Sequence, residues 1–479
     1  MHAATPKLPR IMKKIFRSTH KSKIGNNTDE RKLSVMLVGL DAVSRLSFHR
    51  SMPRALKFLE KNKWVELKGY SKVNLNTFPN LLAVLNGQNL RENLEKCTVI
   101  DSKKPKKNIC PLIWNDFKKK GYVTAYAEDS PDISTFNYLK VGFVEQPTDY
   151  YLRPMMIAAQ KLLSIERVCV GPESYLDHIL NYAKNFSKTF KNFPYFGFFW
   201  SNSFTHDDIN LHTAVDFPLT NFLMELENIG VYENTIVVLF SDHGMRIGEF
   251  CSTLVGFYED RLPFIFIWLP QWFKKKFPEK YKNLLKNQNR LTTPYDLHLT
   301  LKEVLEGNVT SKAKGCPKCV SLFKEIPWNR NCKDAGIGKG YCMCSSIREH
   351  NMTHKLSIEI GEYLNQYIVN KTQFLLRKYS FNKRICANRV FSKMVKSFEI
   401  MKNDEAFFIL DDERRIREYV IVIESNPGPS LFEAQVMVER FRSESFKITI
   451  TSSVNRLDSY AETSNCVNIL SLKELCHCV

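Results

Sequence analysis

Apolar and polar positions along the chain fall into short runs of two kinds that take turns. LSVMLVGL (33–40) is almost continuously apolar and stops at Asp41. Such a run predicts a strand buried on both faces of a sheet. A helical stretch follows at about 51–62, and WVELKG (64–69) reads as a second strand. PNLLAVLNG (79–87) has Pro in its first turn and Gly at its end, the asymmetry of helix termini. PLIWNDFKKKG predicts a helix and YVTAYAE (122–128) the strand after it. YFGFFW (195–200), NTIVVLF (234–240) and RLPFIFIWLP (261–270) predict further strands. Helices are predicted at about 213–229 and over TPYDLHLTLKEVL (293–305). Alternation of this kind predicts an α/β domain, a three-layer α/β/α sandwich with a mainly parallel sheet.

The texture differs at the two ends. Residues 1–32 are basic and read as a flexible arm, and 33–312 as the α/β domain. Residues 313–479 read as a smaller Cys-rich α+β region. It has one helix at 355–370 and short strands in AFFIL, EYVIVIE, AQVMVE and FKITIT.

Composition narrows the function classes. The chain has 479 residues with 44% hydrophobic and 25% charged, values typical of globular proteins. It has no apolar run of roughly 18 or more residues, so no transmembrane segment is predicted. The net charge of +19 suits an anionic partner, such as a phosphate or sulfate ester carried by a lipid or a glycan. No nucleic-acid motif accompanies that charge. Thirteen cysteines and sequons at Asn26, Asn185, Asn308, Asn351 and Asn370 point to the extracellular space or the lumen of the secretory pathway. No signal or anchor is visible at the basic N-terminus, so the chain reads as one whose start is missing or altered. Cys316, Cys319, Cys332, Cys342 and Cys344 allow either zinc binding or disulfides, and the compartment favours disulfides.

In parallel sheets, ligands gather at the C-terminal ends of the strands. Four such ends carry chemistry: Asp41, Thr77 in NLNTFPN, THDD (205–208), and Asp242 with His243 in VVLFSDHGM. Singly, each has an ordinary reading. Asp41 or Thr77 could cap a helix, His243 could be a core histidine, and His206, Asp207 and Asp208 a polar loop. Together they form a set of carboxylates and an imidazole suited to a divalent cation, with a hydroxyl beside it that could act as nucleophile.

The segments LVGLDAVSR, NTFPNLLAVLNG and VVLFSDHGMRIGE resemble signatures of the alkaline phosphatase/sulfatase superfamily. Within it, the sequence resembles the DUF229 family of uncharacterised sulfatase-like animal proteins. The likeness spans about residues 33–345. It implies an alkaline phosphatase-like fold and one divalent metal (Zn, Mn, Mg or Ca) bound by Asp41, Thr77, Asp242 and His243. Thr77 would also be the nucleophile. The activity implied is a metal-dependent phosphoester hydrolase or transferase, a phosphodiesterase or phosphotransferase.

The sequence departs from the sulfatase pattern at two places. Thr77 stands where sulfatases carry the Cys or Ser that becomes formylglycine. GEFCSTLVGFYED lacks the basic residues that would contact sulfate. A sulfuric-ester hydrolase working without formylglycine and a non-catalytic binding protein that keeps the fold are the alternatives. A second metal site is left open: His206, Asp208 and Asn80 are candidate substrate or second-metal contacts. Asp208 and His212 have the spacing used by two-metal relatives, while His298 reads as structural.

Overall fold

The computed structural model describes residues 4–15, 31–90, 111–138, 140, 142–163, 165–166, 168–246, 248–401, 414–441, 445–458, 460 and 462–479. The chain divides into two compact units, residues 1–245 with 258–337, and residues 246–257 with 338–479.

The first unit is built on strands β1 (Ser34–Leu40), β2 (Val65–Glu66), β3 (Gly69–Tyr70), β4 (Val123–Glu128) and β5 (Tyr150–Tyr151). It also holds β6 (Ile165–Glu166), β7 (Cys169–Val170), β8 (Glu173–Ser174), β9 (Tyr195–Ser201), β10 (Thr235–Phe240), β11 (Ile265–Trp268) and β12 (Leu291–Thr292). Seven of them form the central sheet, in the order β2-β11-β10-β1-β9-β4-β5. β11 runs antiparallel to both its neighbours and the other pairings are parallel. β12 pairs with β3, and β6 to β8 form a small antiparallel ribbon.

The apolar runs have a simple cause. Successive residues of a strand point to opposite faces. Met36, Val38 and Leu40 of β1 enter one core, while Val35 and Leu37 enter the other. β10 splits in the same way, with Val237 and Leu239 on one side and Ile236, Val238 and Phe240 on the other. The Tyr175–Phe190 and Asp216–Asn228 helices cover the first face, and the Thr77–Asn86 and Pro294–Glu306 helices the second. The three-layer α/β/α expectation with a mainly parallel sheet therefore holds. Gly39 is required by packing: a Cβ there would lie 2.0 Å from the Trp200 ring.

Three features lie outside the sequence reading. Residues 9–15 of the basic segment are helical and bury Ile11 and Ile15 in the core, while Lys14 pairs with Asp149 at 3.1 Å. The apolar pattern predicts no element between 129 and 194, where helices Arg153–Leu162 and Tyr175–Phe190 form. Residues 313–337 belong to the first unit, against the boundary expected at 312. They are tied to the Pro294–Glu306 helix by Arg330 on Asp296 at 2.8 Å and by the Leu322 N–H on Thr300 Oγ1 at 2.8 Å. A Cys316–Cys319 disulfide closes part of this segment.

The second unit is antiparallel, with strands β13 (Ser346–Glu349), β14 (Val390–Met401), β15 (Arg414–Asn426), β16 (Ser430–Phe441), β17 (Phe446–Ile450) and β18 (Asn455–Arg456). They pair in the order β13-β14-β15-β16-β17, with β18 against β16. The Lys355–Lys378 helix buries Ile360, Leu364 and Ile368 in the same core as Ile421, Ile423 and Val436. Disulfides Cys386–Cys476 and Cys466–Cys478 hold the C-terminal segment. The unit is α+β and Cys-rich as expected, although β14 was not read from the sequence and AFFIL (406–410) lies outside the described residues.

Candidate metal and nucleophile site

β1 lies between β9 and β10 in parallel register, with Gly39 opposite Phe240 and Leu40 opposite Ser201. All three strands therefore end at one edge, and their next residues share a small volume. The Asp41 N–H donates to Ser201 O at 2.9 Å, the Ala42 N–H to Asp242 Oδ1 at 3.3 Å and the Val43 N–H to Ser241 Oγ at 3.0 Å. Ala42 reaches this turn with φ 59°, in the left-handed region that a non-glycine residue adopts only when its surroundings enforce it.

Ligand atoms of Asp41, Asp242 and His243 all lie within 4.8 Å of one another, and each residue is 1% exposed. His243 Nε2 is 3.6 Å from Asp41 Oδ1 and 3.2 Å from Asp242 Oδ2. Its Nδ1–H donates to Gly244 O at 2.8 Å, which turns Nε2 toward the carboxylates. Asp242 Oδ2 is buried, and among the described residues His243 Nε2 is its polar neighbour without a hydrogen bond being formed. Burial, with the Asp41 charge next to it, drives the Asp242 carboxyl well above the usual range. Two buried carboxylates and a ring nitrogen turned toward them fit a divalent cation. A buried like-charge pair without one would be costly.

Thr77 stands at the open side of this cluster. It is the first residue of the Thr77–Asn86 helix, with Asn76 as the cap, so its hydroxyl is not engaged in capping. Thr77 Oγ1 donates to Asp41 at 3.3 and 3.2 Å and lies 3.4 Å from His243 Nε2. Thr77 is half-buried, whereas the three residues behind it are buried. Asn80 is fully buried and works on the backbone. Its Oδ1 accepts from Val73 and Asn74, and its Nδ2 donates to Asn74 O and Asn76 O. It thus fastens the loop that presents Thr77 and does not point to a ligand.

The remaining candidates are not drawn into the cluster. His206 Nδ1 contacts Asp207 Oδ1 at 2.7 Å, and Asp208 Oδ1 accepts the Asn210 N–H at 2.9 Å as a helix cap. His212 is buried, with Nδ1 on Ser47 Oγ at 2.7 Å and Nε2 on Thr205 O at 3.1 Å, which gives it a structural role. His298 donates to Val84 O at 2.8 Å, and burial lowers its pKa to about 4, as a core histidine. Among the described residues, the Asp41–Asp242–His243 set is the one cluster of this type that contains carboxylate or imidazole.

The support around the site was not read from the sequence. The buried Lys72 binds Asp260 at 2.6 Å, and Asp260 O accepts the Gly244 N–H at 3.0 Å. Glu259 accepts from Ser44 Oγ at 2.6 Å and pairs with Arg50, fixing the turn after Asp41. The acidic pair in FYEDR was the visible signal, but its partners lie some 190–215 residues away.

No curated protein matches the chain in sequence. Among solved structures, the chain is similar to a protein in the alkaline phosphatase superfamily from Vibrio parahaemolyticus. That likeness has 11% identity and a TM-score of 0.46, covering 97% of this chain and 94% of that one. It is also similar to the lipoteichoic acid synthase LtaP from Listeria monocytogenes, with 14% identity and a TM-score of 0.41, covering 70% and 84%. A third likeness is to the PsFucS1 sulfatase from Pseudoalteromonas sp., with 14% identity and a TM-score of 0.38, covering 73% and 80%. The family model for DUF229, a protein of unknown function, matches residues 5–394, and the chain belongs to that family.

Proposed function

We propose that this protein is a metal-dependent ester hydrolase or transferase that acts on phosphoesters through Thr77. Asp41, Thr77, Asp242 and His243 would hold one divalent cation, and this donor set suits Zn²⁺ or Mn²⁺ better than a hard all-oxygen site would. One observation carries the reading: a half-buried Thr77 hydroxyl meets a buried carboxylate pair and a ring nitrogen of His243 at one sheet edge. When bound, such a cation lowers the pKa of the hydroxyl and polarises the ester.

Thr77 Oγ1 attacks phosphorus. Its O–P bond forms as the bond to the departing alkoxide breaks, the hydroxyl proton passes to solvent, and the alkoxide takes one up. Water or a second alcohol then releases the phosphoryl group from Thr77 by the reverse displacement. The N-terminal end of the Thr77–Asn86 helix would favour the charge that develops on the equatorial oxygens.

The extracellular or lumenal setting is part of the proposal. It is supported by the disulfides and by the exposed positions of Asn185, Asn308, Asn351 and Asn370, while Asn26 lies outside the described residues. The test is turnover of matched aryl phosphates and aryl sulfates by the wild type and Thr77→Ala. Phosphoester turnover lost in the variant supports the reading. Turnover kept in the variant rules out Thr77 as nucleophile, and a wild type inert on the panel returns the chain to a binding role.

A further inference from the structure

We propose that Cys316 and Cys319 form a redox-active couple that exchanges electrons with low-molecular-weight thiols, and that their disulfide is not a structural staple. The inference does not depend on the Thr77 reading.

The spacing of the two cysteines is the first observation. Cys316-Pro317-Lys318-Cys319 places them three residues apart, and they are bonded. Closing so short a loop removes little entropy from the unfolded chain, so the bond adds little to stability. Cys386–Cys476, by contrast, joins residues 90 apart, as a staple would. Among the described residues no third Cys, His, Asp or Glu groups with Cys316 and Cys319 as a metal site would need, so the pair does not read as a zinc site.

The second observation is a buried guanidinium aimed at one of the sulfurs. Arg330 Nη2 donates to Cys319 Sγ at 2.9 Å and to Asp296 Oδ1 at 3.1 Å, and its side chain is 4% exposed. Asp296 balances the net charge of Arg330, so what the sulfur receives is a directed N–H. Cys319 Sγ also lies 3.7 Å from Thr293 Oγ1, the hydroxyl that caps the Pro294–Glu306 helix. The positive end of that helix dipole acts on the same sulfur. A Cys319 thiolate gains more from both than a bonded sulfur does.

The third observation concerns the thiols. Cys316 Sγ lies 3.3 Å from Asp334 O, and Cys319 Sγ 3.6 Å from Ala335 O. A disulfide sulfur has no hydrogen to give these carbonyls, whereas a thiol has. The reduced pair therefore finds an acceptor for each S–H and a donor for the Cys319 thiolate.

The reaction follows from which sulfur leaves better. An incoming thiolate attacks Cys316 Sγ, the Cys316–Cys319 bond breaks as the new S–S bond forms, and Cys319 departs as a thiolate on Arg330. A second thiolate attacks the sulfur of the first. Cys316 is released and takes a proton from solvent, and the two small thiols leave as their own disulfide. They lose two electrons and the protein disulfide gains them. Cys316 and Cys319 are buried, but Pro317 and Lys318 between them are exposed. One surface turn thus covers the bond, anchored by Lys318 on Asp334 at 2.7 Å, and lifting it admits the thiol.

The test equilibrates the full chain in reduced and oxidised glutathione at stepped ratios until labelling is constant. Each cysteine is then mapped by acid quench, differential alkylation and mass spectrometry. In the wild type, Cys316 and Cys319 should be reduced together at a ratio that leaves Cys386–Cys476 bonded. Arg330→Met should need a ratio about tenfold more reducing, the scale of one hydrogen bond to a charged group. Arg330→Lys should recover part of that shift, which a lost packing contact would not. Cys319→Ser should collect one glutathione adduct, on Cys316. A wild-type pair that stays bonded until Cys386–Cys476 opens overturns the inference and makes the bond a staple. An Arg330→Met variant reduced at the wild-type ratio overturns the role of Arg330, and a Cys319→Ser variant without the adduct overturns Cys316 as the point of attack. The wild-type and Cys319→Ser arms decide the inference even where the Arg330 variants fail to fold.

Discussion

The Thr77 hydroxyl donates to both carboxylate oxygens of Asp41, at 3.3 and 3.2 Å, across 36 residues of sequence. The contact joins the start of a helix to the end of the first strand. Thr77→Ala should lower phosphoester turnover by about three orders of magnitude, the scale seen when a nucleophile is removed. Thr77→Ser, which keeps the oxygen, should retain measurable turnover. Steady-state rates of the two purified variants check this, and equal losses would point to a packing role for the Thr77 methyl group.

Asn80 holds the loop in front of Thr77 through four backbone contacts. Asn80→Ala leaves the Val73 and Asn74 N–H groups without that acceptor, at about 1–3 kcal/mol for each one that stays buried and unpaired. The expected outcome is a lower melting temperature and a kcat loss of about tenfold or more, because the nucleophile is no longer held in position. Cation stoichiometry should not change. Thermal unfolding, rate and metal content measured on one sample separate these effects.

Glu128 gives stability a pH dependence whose sign is fixed. Burial outweighs its hydrogen bonds and raises its pKa from 4.5 to about 7. The folded chain keeps a proton that the unfolded chain has already released. This contribution is therefore full below pH 4.5 and is lost as pH rises to and through about 7. The shift corresponds to about 3 kcal/mol. Glu128→Gln should flatten the stability curve between pH 5 and 8, as read by denaturant midpoints. An unchanged slope would assign the dependence to other groups.

Ala42 holds a left-handed turn between two candidate ligand positions. Relief of that strain in Ala42→Gly is opposed by the larger entropy of glycine in the unfolded chain, so the variant should be within about 1 kcal/mol of the wild type. Ala42→Val should be clearly destabilised, because a β-branched residue resists φ 59°. Melting temperatures of the pair test whether the turn is as constrained as its contacts indicate.

Much of the central sheet was legible because its strands are buried on both faces and so read as unbroken apolar runs. The four residues of the cluster were legible for a related reason: polar side chains that interrupt such runs need a cause. Lys72, Glu259 and Asp260 were not legible. Their partners are set by how loops pack, and a lysine before a helix or after a strand looks like solvated surface in one dimension. The Tyr175–Phe190 helix was missed although it carries a core face of Leu176, Ile179, Ala183 and Phe186. Its apolar stripe is broken by exposed polar positions and has no run to mark it. Asn80 and His212 show the converse, since their spacing suggested ligands while their hydrogen bonds are fully used on the backbone and on Ser47.

The most direct measurement is the divalent metal content of the folded wild-type chain beside that of the Asp41→Asn, Asp242→Asn double variant, by elemental analysis after purification without added metal. One tightly held cation per wild-type chain and close to none in the double variant is the expected result. A folded wild type that binds no divalent cation, or a double variant that keeps one, would contradict it.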